Sequence, residues 1–108
     1  MRLIFVCSPF AGDTENNVLN ARRYCRFAMA QGHVPFAPHL LFPQFLDDTD
    51  PEEREQGINL GLTVLGLCHE LWTFGETPSP CMAVEIKWAE GLNIPIRQFS
   101  ADCMEVVT

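Results

Sequence analysis

Glu85 is the residue whose type and position most readily do chemistry. It falls in the second turn of a helix predicted to begin at Ser79-Pro80. Side chains lean toward a helix's amino end, so its carboxylate can point back into the loops there. Met82 and Ala89 share its face. A carboxylate on an otherwise apolar helix face can act as nucleophile or general base. The plainer reading is a partly exposed glutamate beside a loop. Ser8, Pro9, Phe10 and Gly12 form a second candidate, a turn between an apolar run and a helix. Free amides in such a turn suit a sugar hydroxyl or a phosphate. The turn matches neither the dinucleotide-binding GxGxxG pattern nor a GK[ST] phosphate loop, and an ordinary strand-to-helix connection has the same composition. His39, after Pro38, can contact a ligand, orient a carboxylate, or sit hydrogen-bonded in a packed loop. Gly75, Ser79 and Met82 bracket the turn into the Glu85 helix and complete the predicted binding set, with Glu85 its one catalytic member.

Other reactive side chains offer less. Cys68 and His69 are adjacent, so in an extended segment they face opposite ways. His33 follows the helix-ending Gly32 and can face a helix carboxyl end. No paired ligand spacing results, and neither a metal nor a cofactor is expected. Cys81 lies in a first helical turn, where the dipole favours a thiolate. As a nucleophile, it or Cys7 would need His39 as base. Arg54 can reach a phosphate, but a solvated arginine among acids is the commoner case. Trp72 and Trp88 are assigned to the core, one of them available as a stacking surface for a base.

The elements that must position these residues alternate in type. Residues 3–7 (LIFVC) are a continuous apolar run, as in a strand buried on both faces. Asp13 or Thr14 caps a helix reaching Gln31, and Gly32 ends it. A second strand spans 34–37. Residues 38–50 are predicted to be a packed functional loop. Asp50-Pro51, with Glu53 behind, starts a helix that runs to about Gly66. A third strand covers 70–74, a helix 79–91 and a fourth strand 94–99. Residues 101–108 form a short strand or a loose tail. The order βαβαβαβ with right-handed crossovers predicts an α/β, flavodoxin- or Rossmann-like three-layer sandwich around a parallel sheet of four to five strands. Ligands bind such sheets beyond the carboxyl ends of the strands.

Composition sets the outer bounds. One hundred and eight residues, 47% of them hydrophobic and 19% charged, suit one folded domain over 1–108 rather than a disordered chain. Fourteen acidic against seven basic residues give a formal charge of −7, which argues against a nucleic-acid polymer as partner. No apolar run is long enough to span a membrane, and the amino-terminal run is too short for a signal peptide. Five cysteines, an odd number without a CxxC pair, suit free thiols in a cytoplasmic setting.

Several of these segments, taken together, resemble the nucleoside 2-deoxyribosyltransferase superfamily. Ile4-Phe5-Val6-Cys7-Ser8-Pro9-Phe10 is similar to its first strand and Ser-Pro-Phe turn. Ser79-Pro80-Cys81-Met82-Ala83-Val84-Glu85-Ile86, followed by Ala89 and Asn93-Ile94-Pro95-Ile96, is similar to its catalytic helix and the strand after it. Pro38-His39-Leu40, Arg54-Glu55-Gln56-Gly57 and Leu71-Trp72-Thr73-Phe74-Gly75 resemble segments of small bacterial and phage members. The likeness implies cleavage, by hydrolysis or transfer, of the N-glycosidic bond of a nucleoside or nucleotide. Glu85 would attack the anomeric carbon, Ser8 and Gly12 would hold the sugar or its phosphate, and His39 would line the base side. Phe5 stands where the transferases carry a tyrosine that orients the nucleophile. Ser79-Pro80 replaces an Asp ahead of the helix, and Asn59-Leu60 another in the helix before. Losing those supports favours an alternative, a non-catalytic module that binds a nucleotide-derived ligand. A vestigial cleft in an interaction protein is a third reading. Family members complete their sites with a neighbour's loop. That habit, with the apolar Leu41, Phe42 and Phe45, implies a homodimer or larger oligomer.

Overall fold

The computed structural model describes residues 1–107. Its elements are β1 (Leu3–Cys7), α1 (Thr14–Ala30), β2 (Val34–Phe36), α2 (Pro38–Leu41), a 3-10 turn (Phe42–Gln44), α3 (Pro51–Leu65), β3 (Glu70–Phe74), α4 (Pro80–Gly91) and β4 (Ile96–Phe99). The four strands form one parallel sheet in the order β2-β1-β3-β4. The expected α/β sandwich is therefore present. Chain order reverses between β1 and β3, so the gap beyond their carboxyl ends is the natural ligand crevice.

Side chains of a strand alternate between faces, and the core divides accordingly. Ile4, Val6, Trp72, Phe74 and Phe99 meet Tyr24 and Ala28 of α1 on one face. Phe5, Cys7 and Leu71 meet Leu65 of α3 and Met82 and Ala89 of α4 on the other. The α1 side is an aromatic stack, with Tyr24 4.1 Å from Phe74 and Phe74 5.2 Å from Phe99 between ring centroids.

Local signals set the boundaries. Asp13 caps α1, its carboxylate accepting from the Asn16 amide. Asp50 caps α3 by accepting from the Glu52 amide, with Pro51 opening the helix. Glu53 does not close a capping box there. It accepts from the Asp47 amide at 2.8 Å and ties down the preceding loop. Ser79 caps α4 through the Met82 amide. β2 and β4 are each shorter than expected: β2 stops at Phe36 because Ala37 caps the helix opened by Pro38, and β4 begins after Pro95, which has no amide to donate. The carboxyl tail adds one antiparallel bridge, Phe99 with Glu105.

Three expectations need correction. Residues 38–50 are not simply a loop, since α2 and the 3-10 turn fold against α3. Phe42 is buried, T-stacked between Phe36 and Phe45, whereas Leu41 and Phe45 do face solvent. Trp72 lies in the core, but Trp88 on the outer face of α4 is 50% exposed. No helix among the described residues is long and apolar enough to cross a membrane.

Candidate functional site

Three buried side-chain atoms lack any hydrogen-bond partner among the described residues: Ser8 Oγ, His39 Nε2 and Glu85 Oε1. All three lie at the carboxyl-end crevice. Ser8 follows β1, His39 opens α2 just after β2, and Glu85 is one turn into α4. Buried polar atoms are almost always satisfied, and leaving one unpaired costs about 1–3 kcal/mol. Three together mark the crevice as the candidate site.

A cavity of about 410 Å³ opens there. Phe10, His39, Phe42, Pro80, Val84 and Ile58 supply most of its apolar wall. Polar groups come from Glu85, Ser79, Asp48, Glu53 and Arg54. The volume suits one small organic ligand. The wall alternates between the region after β2 and one face of α3. Arg54, Gly57, Ile58 and Gly61 recur at helical spacing and all reach it. The two glycines let α3 approach closely. A Cβ on Gly57 would sit 3.5 Å from Leu46, and one on Gly61 3.7 Å from Pro38.

Glu85 is 8% exposed. Burial raises its carboxyl pKa to about 7, and a hydrogen bond from the Cys7 thiol only partly opposes this. The same thiol lies 3.9 Å from the Met82 carbonyl. Burial, and next the Glu85 charge, push the Cys7 pKa well above the usual thiol range, so Cys7 stays protonated and acts as donor. His39 stacks on Phe10 with ring centroids 4.8 Å apart and planes 20° from parallel. Burial lowers its pKa, outweighing a hydrogen bond to the Ser8 backbone and the pull of Asp48. The ring is therefore neutral at pH 7. Arg54 reaches across the mouth, Nη2 lying 3.8 Å from Cys81 Sγ.

Among the residues predicted from sequence, Phe10, His39, Ser79 and Glu85 line this cavity. Ser8 is buried and is not in the wall, and its backbone interacts with His39. Pro9, Gly12, Gly75 and Met82 are not in the wall. Gly12 and Gly75 adopt positive φ (94° and 103°) and turn the chain, which is what their lack of a side chain permits. Met82 packs in the core, and its sulfur accepts from the Ser79 amide at 3.5 Å. Residues missed include Asp48, Phe42 and Val84, while Cys81, considered only as a nucleophile, lines the wall. The Arg54–Gly57–Ile58–Gly61 spacing was the available signal, because two glycines on one helix face leave room beside it.

A family profile described as "Domain of unknown function (DUF7768)" matches residues 2–99. No curated protein matches this chain. Among solved structures, a 2-deoxyribosyltransferase from Bacillus psychrosaccharolyticus superposes with a TM-score of 0.75 at 18% identity, over 98% of this chain and 77% of that one. A 2-deoxyribosyltransferase from Leishmania mexicana gives 0.61 at 16% identity, over 93% and 65%. A CMP N-glycosidase from Clostridium botulinum gives 0.58 at 17% identity, over 92% and 69%. At these identities the likeness establishes the fold.

Proposed function

The chain belongs to the DUF7768 family, and from that premise we propose that it cleaves the N-glycosidic bond of a nucleoside or nucleotide with Glu85 as nucleophile. The observation that carries this reading is the unpartnered Glu85 oxygen, buried beside two other unpartnered polar atoms at a ligand-sized cavity. Fold neighbours named for deoxyribosyl transfer and for CMP N-glycoside cleavage support the reaction class.

The reaction needs two displacements at one carbon. Ionised Glu85 attacks the anomeric carbon opposite the base, forming a C–O ester bond as the C–N bond breaks. The base leaves with that bonding pair and takes up a proton. Water or a second base then attacks the same carbon from the vacated side and frees the carboxylate. Retention of configuration follows from the two inversions. Because burial holds Glu85 near pH 7, the nucleophilic form accumulates as pH rises, and the rate follows it.

A second reading, ligand binding without turnover, draws on the supporting shell. Phe5 is wholly buried and offers no hydroxyl, so the carboxyl's hydrogen-bonding neighbour is a weakly donating thiol. Chromatography of free base separates the two. Wild type and Glu85→Ala are incubated with nucleosides and their 5′-monophosphates, with and without an acceptor base. Release by wild type alone supports cleavage, whereas an intact ligand that raises the melting temperature supports binding only. Leu41 and Phe45, 45% and 62% exposed beside the cavity wall, support assembly as a homodimer or larger oligomer. Monomeric elution at micromolar concentration refutes that part.

A further inference from the structure

We infer that Cys81 is a thiol–disulfide exchange site at the mouth of the cavity, where a small disulfide couples to its sulfur beside Arg54 and the adduct closes the cavity over Glu85. The inference rests on the reading above only in taking this cavity as the functional site, and not on glycosidic cleavage.

The five cysteines differ in what surrounds them. Cys7 is wholly buried, and burial followed by the Glu85 charge pushes its thiol well above the usual range. Burial pushes the Cys25 and Cys68 thiols up to about 11, and Cys68 Sγ also donates to the Val64 carbonyl at 3.3 Å. Cys103 packs against the aromatic side of the core, and burial raises its thiol as well. A thiol held in its protonated form is a poor nucleophile. Cys81 is partly exposed, lines the cavity, and brings its sulfur up to a cation.

That cation is itself oddly placed. Arg54 follows Asp48, Asp50, Glu52 and Glu53 and precedes Glu55. Yet the ion pairs among the described residues join Arg2 and Arg97 to Glu70 and Arg97 to Glu105, and none uses Arg54. Its Nη2 lies instead 3.8 Å from Cys81 Sγ. Cys81 is the second residue of α4, a helix of 12 residues. A guanidinium and a helix's amino end both favour negative charge on sulfur, the form that attacks a disulfide. Glu85 stands four residues along, so its side chain and that of Cys81 are neighbours on one face of α4. Both line the cavity, and Glu85 Oε1, in a residue 8% exposed, has no partner. That unpartnered oxygen, independent of the cysteine, marks room for an occupant beside the sulfur. The cavity holds about 410 Å³, so a small substituent on Cys81 fits inside it and takes up the space over Glu85.

The exchange balances without a further reagent. The Cys81 thiolate attacks one sulfur of the disulfide, a new S–S bond forms as the old one breaks, and the departing thiolate leaves with that bonding pair. Cys81 is oxidised, the small disulfide is reduced, and the proton of the Cys81 thiol passes through water to the departing sulfur. A free thiol reverses the step.

The test labels the ligand-free native chain with 2-hydroxyethyl disulfide, an uncharged probe, so that Asp48, Glu53 and Arg54 in the wall do not bias its approach. Peptide mapping by mass spectrometry after timed quenching follows each cysteine. Cys81 is expected to react about tenfold or more faster than the other four. Arg54→Gln should slow it severalfold, and Arg54→Lys, which keeps the charge, should restore most of the rate. First labelling at another cysteine, or a Cys81 rate unmoved by Arg54→Gln, overturns the exchange site. Nuclear magnetic resonance of the singly labelled chain tests closure. Backbone amide shifts should change at Phe10 and His39 in the wall as well as along the first turns of α4, and a free thiol should reverse them. Changes confined to α4 overturn closure. The outcomes also separate the two proposals. Base release that persists in the fully Cys81-labelled chain ends closure and leaves cleavage standing. Labelling and shifts as expected, with no base release from the unlabelled chain, end the cleavage reading and leave this one.

Discussion

The two ends of the sheet use histidine in opposite ways. At the amino end, His69 Nδ1 accepts from the Leu3 amide at 2.9 Å and His33 Nδ1 from the Arg2 amide at 3.3 Å. Both rings thereby bond backbone amides as β1 begins. Glu70 joins them, accepting from Trp72 Nε1 at 2.9 Å and pairing with Arg2 at 3.4 Å. At the carboxyl end, His39 leaves Nε2 empty, and Ser8 and Glu85 leave oxygens empty beside it. Hydrogen-bond satisfaction separates the polar residues of the amino end from the candidate site residues of the carboxyl end. Residue type does not, because the amino end holds two of the three histidines.

The contrast can be broken at either end. The largest effect is expected from Glu85→Gln, which should lower base release by about a thousandfold or more, since it removes the nucleophile while nearly preserving shape. Thermal melting across pH gives the next largest. Glu85 has a folded pKa of about 7 against a reference of 4.5, so the folded state holds its proton longer than the unfolded one. Its contribution to stability is full below about pH 4.5 and is lost as pH rises through 7, a change on the order of 3 kcal/mol. The Glu85→Gln variant lacks that decline, so its melting temperature relative to wild type should climb between pH 5 and pH 8. An unchanged difference would mean that Glu85 ionises as freely as in an unfolded chain.

At the other end, His69→Ala should cost about 1 kcal/mol by denaturant titration while leaving base release unchanged, because it unpairs the Leu3 amide far from the cavity. The smallest effect has the opposite sign. Ser8→Ala deletes a buried hydroxyl without a partner, so it should stabilise the ligand-free chain by up to about 1 kcal/mol and weaken ligand binding. If both substitutions destabilised alike, the distinction between the two ends would fail.

Much of the scaffold could be read from local pattern. The run LIFVC, the Asp13 and Asp50 caps, and the Ser79-Pro80 helix start all act within a few residues, so they needed no tertiary context. Glu85 also stood out, because a carboxylate on an apolar helix face conflicts with its surroundings in one dimension as in three. The errors came where burial depended on distant partners. Phe42 looked exposed in a loop, yet Phe36 and Phe45 enclose it. Trp88 looked like core, yet it stands half-exposed on the outer face of α4. Gly12 and Gly75 turn the chain at positive φ and are not in the cavity wall.

The sequence by itself determined the alternation of strands and helices, their caps, and the acid that faces the crevice, since periodicity and end signals are properties of neighbouring residues. Only the tertiary structure decided which polar atoms go unpaired. His33, His39 and His69 differ in what lies within 3.5 Å of one nitrogen, and that is set by sheet register and by helix packing across the whole chain. The cavity has the same origin, since its wall joins α2, α3 and α4 only after the parallel sheet has brought them to one end.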